Sequence, residues 1–502
     1  MDQSATPLVD ALHLCATRSN AAFYTPGHKR GQGISSLHQK LFGAQVFRTD
    51  LPELPELDNL FAPEGVILQA QALAAEAFGA ERTWFLANGS TCGIEAAILA
   101  TCGPGDRLIL PRNAHLSAIS GLILSGATPI YIEPDYSSNW DMPIGVSPGA
   151  VERAIAQYSG AKAILIVSPT YQGICSDVEA IARIAHTHNM LLIVDEAHGP
   201  HFAFHPDLPP TALAAGADLA VQSAHKVLSA FTQSALLHTK GHRIDSNRLA
   251  QSLQLTQSTS PSYLLLGSLD AARHQMATNG LSLMQKVIEL ADKAALELSH
   301  LPGINVLQPN QDAGEWIGDR TRLTIDVSPL GLTGFQADEI LHHQFNVTAE
   351  MPALKLLTFI LSIGNTHADI DRLIQACQKL CHFADASDSH RGDRSSPIAA
   401  RFDLQKQSPT SPELTPRQAF FARKRAVPLG QAPGYICAET ICPYPPGIPL
   451  LLPGETITLE AIAHLRSLLD AGAILTGCQD PQLKTILAVD PAALAGLIRL
   501  PS

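Results

Sequence analysis

Apolar and polar positions alternate along this chain with two different periods. Between about residues 68 and 240, short runs of consecutive apolar residues are separated by segments in which apolar residues recur every three or four positions. The short runs fall at 107–110, 129–132, 163–167, 191–194 and 219–222, and each reads as a strand buried on both faces. After the third run, Val178, Ile181, Ile184 and Ala185 share one helical face behind Ser176 and Asp177, which suit a helix start. Strands alternating with helices predict a mostly parallel sheet with crossover helices, and hence an α/β fold.

The pattern then changes. A long helix is expected over 282–300, a strand over 322–327 and a helix over 336–343 behind Gly331-Leu332-Thr333, together forming a smaller α/β subdomain. Residues 384–416 are rich in Ser, Asp, Arg, Pro and Gln and read as a linker. Residues 433–455 hold six prolines and three glycines, too many for a regular helix or a central strand, so an ordered loop or disorder is expected there. Ile441, Tyr444, Ile448 and Leu450 lie among those prolines and are residues of a buried type. No internal repeat is evident.

Composition narrows the picture. At roughly 150 residues per domain, 502 residues suggest two to four domains. A hydrophobic share of 46% against 16% charged residues excludes a disordered or coiled-coil chain, and few aromatics favour helices on a sheet over a β-sandwich. The net charge of −12 argues against nucleic acid or an anionic membrane as the main partner. The uncharged stretch 113–132 carries Gly121, Gly126 and Pro129 and reads as helix, turn and strand rather than a membrane span. The first residues have no signal-peptide pattern, and nine scattered cysteines suit free thiols, so a cytoplasmic protein is expected. Cys377, Cys381 and His382 lack a second ligand pair, so a buried helix face is read there and no metal is expected. Cys437 and Cys442 are read as small apolar fillers.

The run 191–194 ends in Asp195-Glu196-Ala197-His198, a carboxylate at the carboxyl end of a parallel strand, where open α/β sheets bind ligands. The run 219–222 ends in Ser223-Ala224-His225-Lys226 and brings an amine to the same kind of edge. Upstream, Asn88-Gly89-Ser90-Thr91-Cys92-Gly93 opens a helix whose first N–H groups, with the Ser90 and Thr91 hydroxyls, suit an anion. Pyridoxal phosphate needs these three supports: a lysine for the Schiff base, a carboxylate that keeps the pyridine nitrogen protonated, and a phosphate cradle. Singly, each reads as an ordinary turn, a helix cap or a solvated lysine. Their combination at strand ends points to the cofactor.

These residues resemble the ornithine/lysine/arginine decarboxylase family of fold-type-I pyridoxal phosphate enzymes, in its short form. The resemblance is carried by Thr25 to Gly31, Asp50 to Leu60, Asn88 to Gly93, Arg112 to His115, Ser168 to Gly173, Asp195 to His198, Ser223 to Lys226 and Tyr444 to Pro449. It implies an N-terminal arm and an aspartate-aminotransferase-like large domain over 1–275, a small subdomain over 276–383, the linker 384–416 and a C-terminal decarboxylase domain over 417–502. It further implies Lys226 as the Schiff-base lysine, Asp195 as the pyridinium partner and His115 as the imidazole stacked on the cofactor. By position alone, without the resemblance, His115 reads as a surface or capping histidine. Ser90, Thr91, Ser223 and His225 would hold the phosphate beside Gly89, and His198 either orients Asp195 or satisfies a backbone group. Lys226 or His225 is the candidate acid for Cα.

The implied function is decarboxylation of a basic amino acid in polyamine metabolism, arginine first, giving agmatine, then lysine or ornithine. An aminotransferase, a carbon–carbon lyase or a non-catalytic regulator of a decarboxylase are the competing readings. The Pro-rich segment favours a decarboxylase, and the retained Lys226 and Asp195 disfavour a regulator. A cationic substrate tail needs acceptors, for which Glu439 and Glu350 are candidates. Asp50, Glu53 and Asp58 form a further acidic cluster, which by its charge pattern alone reads as a solvated loop. The resemblance implies a site at a dimer interface, with Tyr24 and His28 or the C-terminal segment serving the neighbouring subunit. A homodimer is the minimum expectation, and the N-terminal wing of longer members is not expected because Thr25 comes almost at once.

Overall fold

The computed structural model describes residues 1–308, 316–388, 412–444, 449–470 and 472–493. Seven strands among them carry the α/β pattern: β1 (Arg82–Leu86), β2 (Arg107–Pro111), β3 (Thr128–Ile132), β4 (Ala161–Val167), β5 (Leu191–Asp195), β6 (Leu219–Gln222) and β7 (Ala235–Thr239). The five apolar runs of the sequence are β2 to β6. The other two escape a search for apolar runs because Thr83 and His238 interrupt them, and the structure pairs these two directly across the β1–β7 ladder. The chain divides into two compact units, residues 1–100 with 193–286, and residues 101–192 with 287–502.

In the first unit β5 and β6 run parallel, while β7 is antiparallel to both β6 and β1. One reversed strand therefore leaves β1 and β6 pointing the same way, so Leu86 and Gln222 end at the same edge. The helix Gly89–Thr101 leaves that edge after β1. Gly93 lets it sit close on the strands, since a Cβ there would meet Leu86 Cδ1 and Val221 Cγ1, each at 2.7 Å. The expected helix at 282–300 is the last part of a longer one, Tyr263–Ser299. Its earlier turns carry Gly267 and Gly280, which hide the apolar period. Both are contact points: added Cβ atoms would meet Leu12 Cδ1 at 2.6 Å and Phe204 Cβ at 2.9 Å.

The start of the chain is fastened to that long helix. Arg273 and Asp270 form an ion pair with no exposed side-chain surface. Arg273 also donates to the carbonyls of Gln3 (2.9 Å) and Ala5 (2.7 Å), and Asp270 accepts the N–H of Leu8 at 3.0 Å. The helix Pro7–Thr17 buries Leu8, Leu12, Cys15 and Ala16. In contrast, the helix Ser36–Thr49 buries no residue and exposes Leu37, Leu41 and Phe42, and Phe23 ahead of it is 94% exposed. A helix of this length has little stability in water without a packed face.

In the second unit β3, β2 and β4 are mutually parallel, in that order. A four-stranded antiparallel sheet follows, from β8 (Asn305–Val306), β9 (Arg322–Asp326), β10 (Met351–Pro352) and β11 (Leu356–Ile360), in the order β8-β9-β11-β10. The helix expected over 336–343 spans Gly334–Phe345, and Thr333 and Gln336 close a reciprocal capping box at its start. Cys377 and Cys381 are buried on the helix His367–Asp388, and no cluster of three or more metal-type ligands occurs among the described residues.

Residues 389–411, most of the expected linker, lie outside the described residues. Beyond them β12 (Lys424–Pro428) pairs with β15 (Thr485–Val489), and β13 (Cys442–Tyr444) with β14 (Ile474–Thr476). The described part of 433–455 is ordered. Cys437, Ile441 and Leu451 are buried in one apolar cluster with Ile462, Leu465 and Ile486, and Ile441 bridges Leu451. Pro443 is accommodated because its ladder has two strands and leaves one edge unpaired. Residues 445–448, inside the Tyr444 to Pro449 motif, lie outside the described residues. No helix among the described residues is long and apolar enough to cross a membrane.

Candidate active site

Two strand ends and one helix start build the site in the first unit. The regular β5–β6 ladder closes at the pair Asp195 and Val221, and beyond it the two turns stay joined by backbone bonding. Asp195 ends β5 only 6% exposed, and its Oδ1 accepts the N–H of Ala197 at 3.2 Å. Gln222 ends β6, and a single helical turn, Ala224–Val227, carries His225 and Lys226. The Lys226 Nζ lies 3.0 Å from His198 Nε2. His198 is itself buried, so an amine and an imidazole face each other in a place largely closed to water.

The anion side forms from the same elements. Ser223, fully buried, donates from Oγ to Ser90 Oγ at 2.8 Å, and its N–H donates to the Ala197 carbonyl at 3.3 Å. Gly89 has φ +75°, a left-handed turn that suits glycine, and its N–H donates to the Gln233 carbonyl at 2.9 Å. Ser90 and Thr91 therefore occupy the first turn of a helix whose N-terminal N–H groups lack intrahelical acceptors. His225 has its ring oriented by the Ser234 carbonyl, 3.1 Å from Nδ1. Sequence reasoning singled out Gly89, Ser90, Ser223, His225, Lys226, Asp195 and His198. The structure brings Lys226 to His198, Ser223 to Ser90, and the Asp195 turn to the Ser223 turn.

Tyr24 and His28 belong to the same compact unit but serve their own loop. The Tyr24 carbonyl accepts from Lys29 Nζ, while His28 Nε2 lies 3.1 Å from Asp50 Oδ2 and its Nδ1 accepts the Gly31 N–H at 3.2 Å. The acidic cluster is employed rather than merely solvated. Burial raises the Asp58 carboxyl, but backbone N–H groups of Glu64, Asn59 and Gly65 outweigh it and hold the group below its ordinary range. Glu53 accepts from Asn59 Nδ2 at 2.8 Å.

His115, Glu350 and Glu439 lie in the second unit. His115 is the N-cap of the helix Leu116–Ser125, its Nδ1 accepting the Ser117 N–H at 3.2 Å. Glu350 is exposed, and its backbone N–H donates to the Thr358 carbonyl. Glu439 is buried, and its two oxygens accept the N–H groups of Gln479 and Leu487, each at 2.7 Å. Burial pushes this carboxyl up, with the two N–H groups opposing. It ties the Pro-rich segment to the strand Thr485–Val489. Glu439→Ala should therefore lower stability by about 2 kcal/mol, since two donors lose their acceptor. Urea unfolding checks this, and an unchanged midpoint would count against the bracing role.

The family profile described as "Orn/Lys/Arg decarboxylase, major domain" matches residues 6–351, and that described as "Orn/Lys/Arg decarboxylase, C-terminal domain" matches residues 400–479. An arginine decarboxylase of Bacillus subtilis (strain 168) is 37% identical over 494 residues, covering 97% of this chain and 99% of the relative. Among solved structures, a lysine decarboxylase of Francisella novicida superposes with a TM-score of 0.81 at 24% identity, covering 97% of this chain and 81% of that one. An alanine–glyoxylate aminotransferase from Nostoc sp. superposes with a TM-score of 0.51 at 16% identity, covering 64% of this chain and 88% of that one. These superpositions meet the expectation of an aminotransferase-like large domain with a decarboxylase C-terminal part.

Proposed function

The chain belongs to the Orn/Lys/Arg decarboxylase family, and from that premise we propose that it converts arginine to agmatine and carbon dioxide with pyridoxal phosphate as cofactor. The observation that carries the chemistry is Lys226 Nζ, 3.0 Å from His198 Nε2, beside a buried carboxylate at the neighbouring strand end. Arginine is favoured because the whole-length relative at 37% identity is an arginine decarboxylase.

The residues fit the cofactor. Ser90, Thr91, Ser223 and the first N–H groups of the helix Gly89–Thr101 would bind the phosphate, with Gly89 allowing the turn and His225 flanking it. Asp195 would hold a proton on the ring nitrogen, because a buried carboxylate stabilises a neighbouring cation strongly. Bound there, pyridoxal phosphate supplies an electron sink for the pair left on Cα when carbon dioxide departs. Lys226 would hold the cofactor covalently and afterwards return a proton to Cα, with His198 Nε2 keeping Nζ in place or relaying that proton. His115 stays the proposed stacking imidazole, its ring orientation set by the cap it makes.

We assign the enzyme to polyamine metabolism, in a homodimer or larger assembly to which the exposed Leu37, Leu41 and Phe42 contribute. Tyr24 and His28 are proposed to reach a substrate from the neighbouring subunit. The nine cysteines are all free thiols, as a cytoplasmic enzyme would have them. Purified protein with added pyridoxal phosphate, given arginine, lysine or ornithine, should form agmatine with equimolar carbon dioxide fastest, as mass spectrometry reads. Faster cadaverine or putrescine would overturn the substrate, and a keto acid without carbon dioxide would overturn the reaction.

A further inference from the structure

Beneath the two strand ends lies a row of polar side chains that the chemistry above does not use. Glu196 directly follows Asp195, and Gln222 directly precedes Ser223, each 2% exposed. Gln222 Nε2 donates to Glu196 Oε2 at 2.8 Å, and the other Glu196 oxygen accepts the Ala212 N–H at 2.7 Å. Gln222 Oε1 lies 3.1 Å from Nε2 of His238 on β7, and His238 Nδ1 lies 2.7 Å from Thr83 Oγ1 on β1. His238 is fully buried and stacks on Phe78, with ring centroids 5.0 Å apart. Gly199 leaves room for Glu196, since a Cβ there would meet its Cγ at 2.7 Å.

The bonds form one continuous row when the Gln222 amide donates to Glu196. Because Gln222 gives its amide to Glu196, its carbonyl must accept from His238 Nε2–H, which leaves Nδ1 to accept from the Thr83 hydroxyl. Burial lowers the His238 imidazole to about 3, so the ring is neutral at neutral pH, and in this arrangement its single proton sits on Nε2. Burial raises the Glu196 carboxyl to about 8, against the opposing pull of Gln222 and Ala212. The row thus spans β1, β7 and β6 and ends on the turn that follows β5.

Its location is what assigns it a task. The regular ladder between β5 and β6 ends at Asp195 and Val221, and one further backbone bond follows, from the Ser223 N–H to the Ala197 carbonyl at 3.3 Å. The Gln222–Glu196 bond is a side-chain link beside these last backbone bonds, and it joins the residue after Asp195 to the residue before Ser223. We propose that Thr83, His238, Gln222 and Glu196 form a positioning relay that fixes the separation between the Asp195 carboxylate and the Ser223–Ser90 anion site. The inference rests on the reading of these groups as the cofactor's seat.

The test uses the full-length protein and measures the pyridoxal phosphate dissociation constant, the pH midpoint of the bound cofactor's absorbance and the thermal midpoint of the apoprotein. Gln222→Leu removes both central bonds and should weaken cofactor binding tenfold or more and move the absorbance midpoint. Glu196→Gln should stay within about twofold of the parent, because Gln222 can turn over, His238 can shift its proton to Nδ1 and Thr83 can accept instead of donate. Thr83→Val, at the far end, should weaken binding about threefold and serves if Gln222→Leu does not fold. Lowered thermal midpoints with an unchanged dissociation constant and absorbance would overturn the relay. Failure of the parent protein to bind pyridoxal phosphate would instead overturn the functional reading on which it rests.

Discussion

Lys226→Ala loses at least about a thousandfold in kcat, equivalent to about 4 kcal/mol at 1.36 kcal/mol per decade. In the proposed mechanism the amine at this position has two tasks, covalent capture of the cofactor and proton return to Cα, and alanine performs neither. The structure indicates little collateral damage. Lys226 is half-buried on a single helical turn, and its Nζ lies 3.0 Å from the His198 side chain. Borohydride reduction followed by intact-mass measurement separates the two tasks, because the parent gains the cofactor's mass and the variant does not. Full turnover in the variant would remove Lys226 from the mechanism and with it the proposed reaction.

Arg273→Met destabilises the protein by about 3 kcal/mol or more, the usual cost of stranding one member of a buried ion pair. Asp270 would keep the N–H of Leu8, so part of its charge stays satisfied, and this sets the expectation at the lower end of the range. The carbonyls of Gln3 and Ala5 lose their donors at the same time, which frees the segment ahead of the helix Pro7–Thr17. Urea unfolding at neutral pH reads the loss, and limited proteolysis reads the release of the first residues. Changing Asp270→Asn in the same chain should recover at least about 1 kcal/mol, since no unpaired charge then remains buried. A single-variant loss below that figure would mean that water reaches the pair in solution.

The placement of the candidate groups was legible in the sequence wherever a residue's neighbours along the chain are also its neighbours in space. Asp195 and Lys226 stand at the ends of unbroken apolar runs, so their strand-end positions follow from the runs themselves. Ser90 and Thr91 follow from a glycine turn that leads into a helix. The row from Thr83 to Glu196 could not be read this way. Its members lie on four separate segments, and a threonine or histidine inside a strand lowers the apolar signal instead of announcing a partner. The same polar interruption concealed β1 and β7, and two packing glycines concealed the first turns of the helix Tyr263–Ser299. Glu439 shows the converse case. A carboxylate among prolines suggests a waiting substrate, whereas the fold gives both its oxygens to backbone N–H groups.

The first compact unit is assembled from two stretches separated by residues 101–192. Thr83 meets His238, Ser90 meets Ser223, and Leu8 meets Asp270, so the opening hundred residues are completed by a stretch made much later. At roughly 5–20 residues per second, translation needs on the order of 10–40 s to carry the chain from residue 100 to residue 286. During that interval Leu8, Trp84 and Phe85, buried in the finished protein, have not yet met the later stretch that completes their unit. The nascent chain therefore passes through a long stage in which its earliest apolar surface needs shelter. A ribosome-bound product ending before residue 193 cannot close the proposed cofactor seat, because Asp195, Ser223 and Lys226 have not yet been made.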